Sequence, residues 1–234
     1  MTLQVVMLTY TGTTRERNED RLVLPGFVSA GSWSEPINHS QADSGIFAVV
    51  DGMGGHRSGD TASRVAGECF ATAPLGDIVE TVRLANRSLY EEAEQHPERK
   101  GMGATVAGVA LRGGTGVAFN VGDARVYQFS GSYLMLLSTD DRATHDSHAV
   151  TQSLGGADHF TDVAVHVRDF ALERGDRLLL CSDGLSEALP FAEIQDLLAH
   201  PSLNETGLCM RDAIFNRVTD DNVTFILIQS GDTR

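Results

Sequence analysis

The chain has 234 residues, and 41% of them are hydrophobic, which is enough for one core of ordinary size. Its 32 acidic side chains against 18 basic ones leave a formal charge of −14 at pH 7, which argues against binding to a nucleic-acid backbone. The three cysteines show no C-x-x-C spacing, and no apolar run is long enough for a signal peptide or a membrane span. We therefore predict a cytoplasmic protein that binds neither nucleic acid nor membrane.

Nine short runs rich in β-branched and aromatic residues predict β-strands, since turn residues bound many of them. In chain order they are 3–9, 46–50, 105–111, 117–121, 126–129, 133–137, 163–167, 177–181 and 223–228. Apolar residues at helical spacing predict two pairs of helices. The early pair covers 58–73, with Ser58 or Asp60 as N-cap, and 77–95; the late pair covers 190–199 and 204–216.

Short turns at 112–114 and 130–132 predict an antiparallel meander over residues 103–138, because strands joined by a few residues pair with each other. The order of the elements predicts an α+β fold: two packed antiparallel β-sheets flanked by pairs of helices, a four-layer α/β/β/α sandwich. The polar segment 138–159 is predicted to be a surface loop over or beside a functional site. We expect a single domain over residues 1–234.

Four aspartates lie beside predicted strand ends: Asp51, Asp123, Asp183 and Asp221. An Asp-Gly after one strand is most often a turn, but its recurrence beside four strands favours a shared role. Carboxylates that converge raise one another's pKa unless a cation neutralises them, and Mg²⁺ and Mn²⁺ prefer oxygen ligands. The pattern therefore predicts a divalent metal site at these strand ends.

Two further acids, Glu19 and Asp20, lie near the amino terminus, a few residues after Arg15. A single arginine is more often a solvated surface charge than a ligand. Beside a carboxylate–metal cluster, however, its planar fork of donors suits the oxygens of a phosphate group. The combination indicates phosphoryl chemistry.

Three other patterns favour structural interpretations. His145 and His148 have an H-x-x-H spacing, but in a polar loop a solvated face is the better interpretation. Cys181 ends an apolar run and is interpreted as a buried core residue. The glycine-rich segment 49–63 lacks the third glycine of a dinucleotide-binding loop and the G-K-[ST] of a P-loop, so it is not predicted to bind a nucleotide.

Seven sequence blocks, taken together and in order, resemble the bacterial members of the metal-dependent Ser/Thr protein phosphatases, the PPM or type 2C family. The blocks are R-x-x-x-E-D at 15–20, DGMGG at 51–55, GMGATV at 101–106, NVGDAR at 120–125, TQSLGG at 151–156, GDRLLLCSDGL at 175–185 and DDNVT at 220–224. They span about residues 12–229, and their order and spacing make the match far more specific than any block alone.

The resemblance implies a centre of two Mn²⁺ or Mg²⁺ ions in a cleft at one end of the sheets. Asp51 would bridge the two ions. Glu19 and the carbonyl of Gly52 would complete the coordination of one ion, and Asp183 and Asp221 would hold the other.

The resemblance also assigns roles in catalysis. Asp20 would organise bound water, Arg15 would bind the phosphate, and Asp123 with Asp183 would hold a third, weaker metal. A hydroxide that bridges the two ions would attack phosphorus in line, so neither Cys181 nor a serine is required as a nucleophile.

Three positions depart from the family pattern. Met53 stands where many eukaryotic members have a histidine that protonates the leaving group, so this acid is unassigned and His56 is the nearby candidate. The stretch between 137 and 151 is shorter than expected for the family's flap, which gives the domain a short flap at about 138–159. Ala124 replaces the serine of the usual GDSR block and leaves Asp123 in place.

The sequence therefore predicts a monomeric protein serine/threonine phosphatase that acts on phosphoserine and phosphothreonine in proteins. Its partners would be a phosphoprotein substrate and a cognate bacterial Ser/Thr kinase that it opposes. The compact domain also resembles phosphatases that accompany a kinase in type VI secretion clusters. Two alternatives remain open: a catalytically silent relative that binds a phosphoprotein, and a phosphatase switch of the anti-anti-sigma type, for which a sensor domain would be expected.

Overall fold

In the computed structural model, two antiparallel sheets pack face to face, and helices cover both outer faces. The structure describes residues 2–42, 44–54, 58–144 and 149–231. Thirteen strands are found within these ranges. They are β1 Thr2–Tyr10, β2 Asp20–Leu24, β3 Phe27–Val28, β4 Ile37–Ala42, β5 Ser44–Met53, β6 Gly103–Arg112, β7 Thr115–Val121, β8 Arg125–Ser130, β9 Tyr133–Leu136, β10 Leu154–Gly155, β11 His166–Ala171, β12 Arg177–Cys181 and β13 Val223–Ser230.

The strands are divided between two sheets. The first sheet has the spatial order β4-β1-β13-β12-β8-β9, and the second has the order β11-β7-β6-β5-β2-β3, with β10 paired to β6 outside this path. Neighbouring strands are antiparallel in both sheets. The chain crosses from the second sheet to the first over the short link 122–124, between β7 and β8.

The described residues form five α-helices and one 3-10 turn. They are α1 Ser58–Thr72, α2 Ile78–Gln95, the turn Pro97–Arg99, α3 Asp183–Ala188, α4 Phe191–Leu198 and α5 Leu203–Phe215. Side chains cap two of the helices, since the Asp77 carboxylate accepts from two backbone N–H groups of α2 and the Ser202 hydroxyl accepts from one of α5. Among the described residues, no helix has both the length and the apolar character needed to cross a membrane.

Each strand contributes side chains to two layers, because successive side chains of a strand point to opposite faces of the sheet. In β1, Leu3, Val5 and Met7 enter the core between the sheets, whereas Val6 and Leu8 face the late helices. Strand β5 divides its apolar side chains in the same way between the inter-sheet core and the early helix pair. The result is a four-layer arrangement of helices, sheet, sheet and helices.

The predicted fold class is confirmed, and eight of the nine predicted strands coincide with observed strands. The prediction for 163–167 is largely wrong, because β11 begins only at His166. The single meander over 103–138 is also wrong. Strands β6 and β7 form a hairpin in the second sheet, and β8 and β9 form one in the first, so the polypeptide changes sheet between the two hairpins.

The sequence patterns missed the shortest elements. Strands β3 and β10 have two residues each and α3 has six, too few for a periodic signal. Strands β2 and β4 were missed as well, and the late helices number three within the described residues rather than two. The segment 138–159 is only partly a surface loop, since it contains β10 and Leu154 is fully buried there.

We expect Phe47→Ala to lower the free energy of unfolding by about 3–5 kcal/mol, because Phe47 is fully buried between the sheets and its removal leaves a cavity. Urea denaturation of the purified variant measures this. Tyr133→Ala is the matched control, since Tyr133 is 75% exposed and its loss should change stability by about 0.5 kcal/mol or less. Equal effects of the two substitutions would contradict the assigned core.

Candidate metal centre

The predicted acid Asp51 lies near the end of β5, in the middle of the second sheet. Its neighbours in the strand register are Asp20 of β2 on one side and Thr105 of β6 on the other. Asp20 is fully buried. Two acidic side chains are therefore placed next to each other across one pair of strands, inside the protein.

Both sheets contribute acids to this end of the sandwich. Asp123 lies in the link between β7 and β8, Asp183 begins α3 directly after β12, and Asp221 lies two residues before β13. These residues share a cavity of about 240 Å³. The lining residues are Arg15, Glu19, Asp51, Gly52, Met53, Gly54, Thr105, Asp123, Val150, Asp183, Asp221 and Asn222.

Close backbone packing brings the Gly52 carbonyl to the Glu19 carboxylate. A Cβ on Gly52 would lie 2.0 Å from the carbonyl oxygen of Gly59, so no side chain fits there. A Cβ on Gly59 would lie 2.7 Å from the Gly52 carbonyl oxygen and 2.8 Å from Glu19 Oε2. The two oxygens thus border one small space beside the start of α1, and both are of the type that Mg²⁺ and Mn²⁺ prefer.

Burial and like charge shift the ionisation of the innermost acids. Burial raises the pKa of Asp51 well above its ordinary value, and the neighbouring Asp20 and Asp183 carboxyl groups raise it further. Burial likewise raises the pKa of Asp20 to about 6, although the Thr224 and Ser182 side chains oppose this shift. Two adjacent charged carboxylates are therefore unfavourable here without a cation.

Burial also raises the pKa of acids on the other wall of the cavity. Burial raises the pKa of Asp183 to about 7, and the negative charges of Asp123 and Asp221 add to the shift. Burial also raises the pKa of Glu19, while the positive charge of Arg15 lowers it. A divalent cation would relieve this repulsion, so the donor set fits Mn²⁺ or Mg²⁺.

Several buried oxygens at the site accept no hydrogen bond of normal geometry from the described residues. They include both carboxylate oxygens of Asp20, Oδ1 of Asp183 and the hydroxyl of Thr105. Buried polar atoms usually have partners, so unpaired ones suggest a missing ion or water. Within the described ranges, however, no three His, Cys, Asp or Glu side chains are already arranged to hold an ion. The structure thus gathers the predicted ligands around one cavity without closing them on a single point.

Arg15 lies at the rim of the cavity, with its side chain 49% exposed. Its guanidinium donates through Nη2 to Asp221 Oδ2 at 2.7 Å and through Nε to the Asp220 carbonyl oxygen at 2.9 Å. It also lines a second, adjoining cleft of about 540 Å³. Arg15 therefore stands between the acidic cavity and the surface.

A network of neutral polar side chains supports the acids. Asn222 Oδ1 accepts from the backbone N–H of Glu19 at 2.8 Å, and its Nδ2 donates to the Thr11 carbonyl at 2.7 Å. Beneath it, the hydroxyls of Thr9 and Thr224 are hydrogen-bonded at 2.8 Å. The network joins the amino-terminal loop to the start of β13. Asn222 belongs to the DDNVT block at 220–224, but the motif alone indicates no role for it.

The main residue that the sequence missed is Arg142, which reaches the site from the segment 138–144. Its guanidinium pairs with Asp123, and Val150 from the same region lines the cavity. The only available signal was the charged run Asp140-Asp141-Arg142 in an otherwise polar loop. Such a run is usually a solvated surface feature, so nothing in this local pattern places Arg142 in the site.

The remaining predicted residues are placed as follows. Asp20 lies behind Asp51 and is not among the residues that line the cavity. Cys181 is fully buried, and burial raises its pKa to about 12, in agreement with its interpretation as a core residue. His56, His145 and His148 lie outside the described residues.

Comparison with known proteins identifies the family. The protein phosphatase 2C model matches residues 34–217, more than three quarters of the chain. A serine/threonine phosphatase of Listeria welshimeri is 28% identical over 247 aligned positions, which cover 93% of this chain and 92% of that protein. The serine/threonine protein phosphatase PstP of Mycobacterium tuberculosis is also 28% identical, over 78% of this chain but only 40% of that protein.

A solved structure gives the same result at the level of the fold. The catalytic domain of PstP, in complex with two manganese ions, is similar with a TM-score of 0.78 at 25% identity, and the match covers 99% of this chain and 100% of that one. The chain therefore belongs to the protein phosphatase 2C family. As a member, it is a metal-dependent protein serine/threonine phosphatase, as predicted.

We expect Asp183→Asn to raise the melting temperature of the metal-free protein at pH 8. The pKa of Asp183 is about 7 in the folded chain against an ordinary 3.8, so the folded state binds more protons than the unfolded state between these values. The free energy of unfolding therefore falls as the pH rises from about 4 to about 7, and the asparagine removes this loss.

Thermal scans in a chelator from pH 4 to pH 8 measure the difference between variant and wild type. Asp158→Asn is the control, because the Asp158 side chain is 75% exposed. A variant that is less stable than wild type at pH 8 would contradict the argument that burial, together with repulsion from Asp123 and Asp221, destabilises the charged form of Asp183.

Proposed function

We propose that this phosphatase hydrolyses phosphoserine and phosphothreonine in proteins at the acidic cavity, with Arg15 as the phosphate-binding residue. The observation that carries the proposal is the convergence of Glu19, Asp51, Asp183 and Asp221 on one cavity with Arg15 at its rim. Carboxylates alone would repel a phosphate. Cations held by those carboxylates, together with the guanidinium, make the same cavity attractive to it.

The ligand assignment is the one that the family resemblance implies, and the shared cavity of these residues supports it. Asp51, between the two walls, would contact both ions, and Glu19 with the Gly52 carbonyl would serve the ion beside α1. Asp183 and Asp221, from the other sheet, would serve the second ion. When bound, the ions supply Lewis acidity and lower the pKa of water, which is the chemistry needed for attack on a phosphoester.

The side chains of the chain itself bind and orient the substrate. Rotation of Arg15 away from Asp221 would turn its planar fork toward two oxygens of a phosphate, and its partial exposure leaves room for this. Asp20, buried behind Asp51, would hold a proton or a water molecule near the reacting group. No described residue is assigned to protonate the leaving group, and His56 stays a candidate.

Covalent catalysis by a cysteine is not part of the proposal. Cys181 is fully buried and its pKa is raised to about 12, so it is a thiol rather than the nucleophilic thiolate at neutral pH. Its strand position, with the side chain in the core of the first sheet, also keeps it away from solvent. Direct attack by water on phosphorus is therefore the simpler route.

The choice of ions and partners forms the finer part of the proposal. The manganese-bound structure of PstP supports Mn²⁺, and the all-oxygen donor set accepts Mg²⁺ as well. The related serine/threonine phosphatases support a phosphoprotein substrate and, with it, an opposing kinase. We further propose a monomer that acts in the cytoplasm. A kinase encoded beside this chain, in a type VI secretion cluster or elsewhere, would identify the pathway.

We expect Asp51→Asn to lower Mn²⁺-dependent hydrolysis at least about a thousandfold, because the loss of the shared ligand removes several kcal/mol of charge stabilisation. A phosphothreonine peptide and p-nitrophenyl phosphate are suitable substrates. Cys181→Ala is the control and should retain metal-dependent activity. Full activity of Asp51→Asn, or loss of activity in a folded Cys181→Ala, would overturn the mechanism.

We expect Arg15→Ala to reduce kcat/KM about a hundredfold, since one charged donor to the phosphate is lost while the metal ligands remain. Arg15→Lys should recover only part of this loss, because a lysine keeps the charge but not the fork. Arg17→Ala removes a neighbouring exposed arginine that is not among the described lining residues, and it should have little effect. Steady-state kinetics with a phosphopeptide distinguish the three variants.

The silent-relative alternative is tested directly with the wild-type chain. Purified protein stripped of metal and then given Mn²⁺ should hydrolyse the phosphothreonine peptide, whereas a pure binding protein would retain the peptide intact. All six acids that the resemblance assigns to the site are present, which favours the enzyme. Binding without turnover under saturating Mn²⁺ would favour the alternative.

A further inference from the structure

Arg142 connects a surface segment to the acidic cavity. Its Nε donates to Asp123 Oδ2 at 2.9 Å, and its Nη2 lies 2.8 Å from Glu187 Oε1 and 3.6 Å from Asp183 Oδ2. The Arg142 side chain is only 11% exposed, and those of Asp123 and Asp183 are 3% and 14% exposed. This is a largely desolvated ion cluster, unlike a surface salt bridge, and the two aspartates belong to the predicted metal ligands.

The backbone holds Arg142 in this position. The preceding residue, Asp141, accepts from the backbone N–H of Gly122 at 2.8 Å and contacts His166 Nε2 at 2.8 Å through its other carboxylate oxygen. The backbone of Thr151 donates to the Asp141 carbonyl at 2.7 Å, and Arg142 forms an isolated β-bridge with Val150. These contacts hold the backbone beside Arg142 in place, and this restricts where its guanidinium can lie.

We propose that Arg142 is a built-in cation that occupies the place between Asp123 and Asp183, and so limits the bound ions to two. This inference rests on the proposed function, because it concerns the same cavity. It also departs from the family pattern stated above, in which those two acids hold a third metal. In this chain the third positive charge is that of a side chain, Arg142, which lies in the segment that borders the cavity.

The two carboxylate oxygens of Asp183 have different surroundings, so one can bind an ion while the other faces Arg142. Oδ2 faces Arg142, whereas Oδ1 is buried and has no hydrogen-bond partner among the described residues. Oδ1 is thus available to one of the two proposed ions while Oδ2 stays near the guanidinium. A third divalent ion on Asp123 would compete with Arg142 for this carboxylate, because its Oδ2 already accepts a charge-assisted hydrogen bond from the guanidinium. Arginine and third ion therefore exclude each other.

The arrangement also couples the segment to the metal centre. A third ion could enter only if the Arg142 guanidinium left Asp123, and that would break the side-chain contact between the segment and the cavity. Conversely, a bound segment keeps the affinity for a third ion low. Substitution of Arg142 by a neutral residue should uncover two nearby carboxylates, which is an arrangement that Mn²⁺ prefers to bind.

Isothermal titration of metal-stripped protein with Mn²⁺ tests the proposal by counting ions. We expect two ions in the wild type, three in Arg142→Gln, and two again in the double variant Arg142→Gln with Asp123→Asn. Arg142→Met, which keeps an unbranched neutral chain, should also bind three and serves if the glutamine variant does not fold. Arg217→Gln is the control, since Arg217 pairs with Glu193 of α4 at 2.8 Å and does not line the cavity, and it should bind two.

The outcomes separate this inference from the proposed function. Two ions in both the wild type and the folded Arg142 variants would overturn the role of Arg142 and leave the two-metal centre intact. Three ions in the wild type would also overturn it. No binding, or a single ion, in the wild type would instead contradict the two-metal centre itself. A third ion that persists in the double variant would show that Asp123 is not its ligand and would equally overturn the inference.

Discussion

Repulsion among buried carboxyl groups is the constraint on which the rest of the site depends. Burial raises the pKa of Asp51, Asp123 and Asp183, and neighbouring acids raise each of them further. A folded chain keeps such groups charged only beside cations, because isolated buried charges are costly. The cations come from opposite sides of the cavity. Arg15 stands at its rim, Arg142 enters from the bordering segment, and the oxygen ligands between them suit divalent ions. Part of the formal charge of −14 is thus concentrated at the cavity, where carboxylates suit divalent ions.

Much of the hydrogen-bonded support beneath the acids is neutral, and this contrast has a physical reason. Additional charges would shift the pKa values again, whereas amides and hydroxyls fix geometry without adding to the repulsion. Asn222 holds the backbone at Glu19, and the hydroxyls of Thr9 and Thr224 join two strands of the first sheet. The Ser182 hydroxyl accepts from the Thr224 backbone and so positions the start of α3, where Asp183 lies. These contacts hold the acids, which lie on separate elements, in fixed positions relative to one another.

Sequence reasoning recovered the layers and the acids, because both have local signals. The continuous apolar runs in β1 and β5 mark strands with two buried faces, and an acid at a strand end is visible beside its apolar run. The change of sheet between β7 and β8 has no such signal, since a turn of three residues looks the same whether the next strand joins the same sheet or the other one. Arg142 was missed for a related reason: its partners Asp123 and Asp183 are distant in sequence, and only the folded segment brings them together.

The cavity draws its walls from both sheets, with Asp51 from the second and Asp183 and Asp221 from the first. The thickness of the apolar layer between the sheets therefore sets the distance across the site. Close-packed cores transmit changes in side-chain volume as shifts of whole strands. Core residues such as Val49 and Ile226, which pack between the sheets, thus act as spacers between the two walls of the cavity. The width of the cavity in such a sandwich is a property of its hydrophobic interior as much as of the residues that line it.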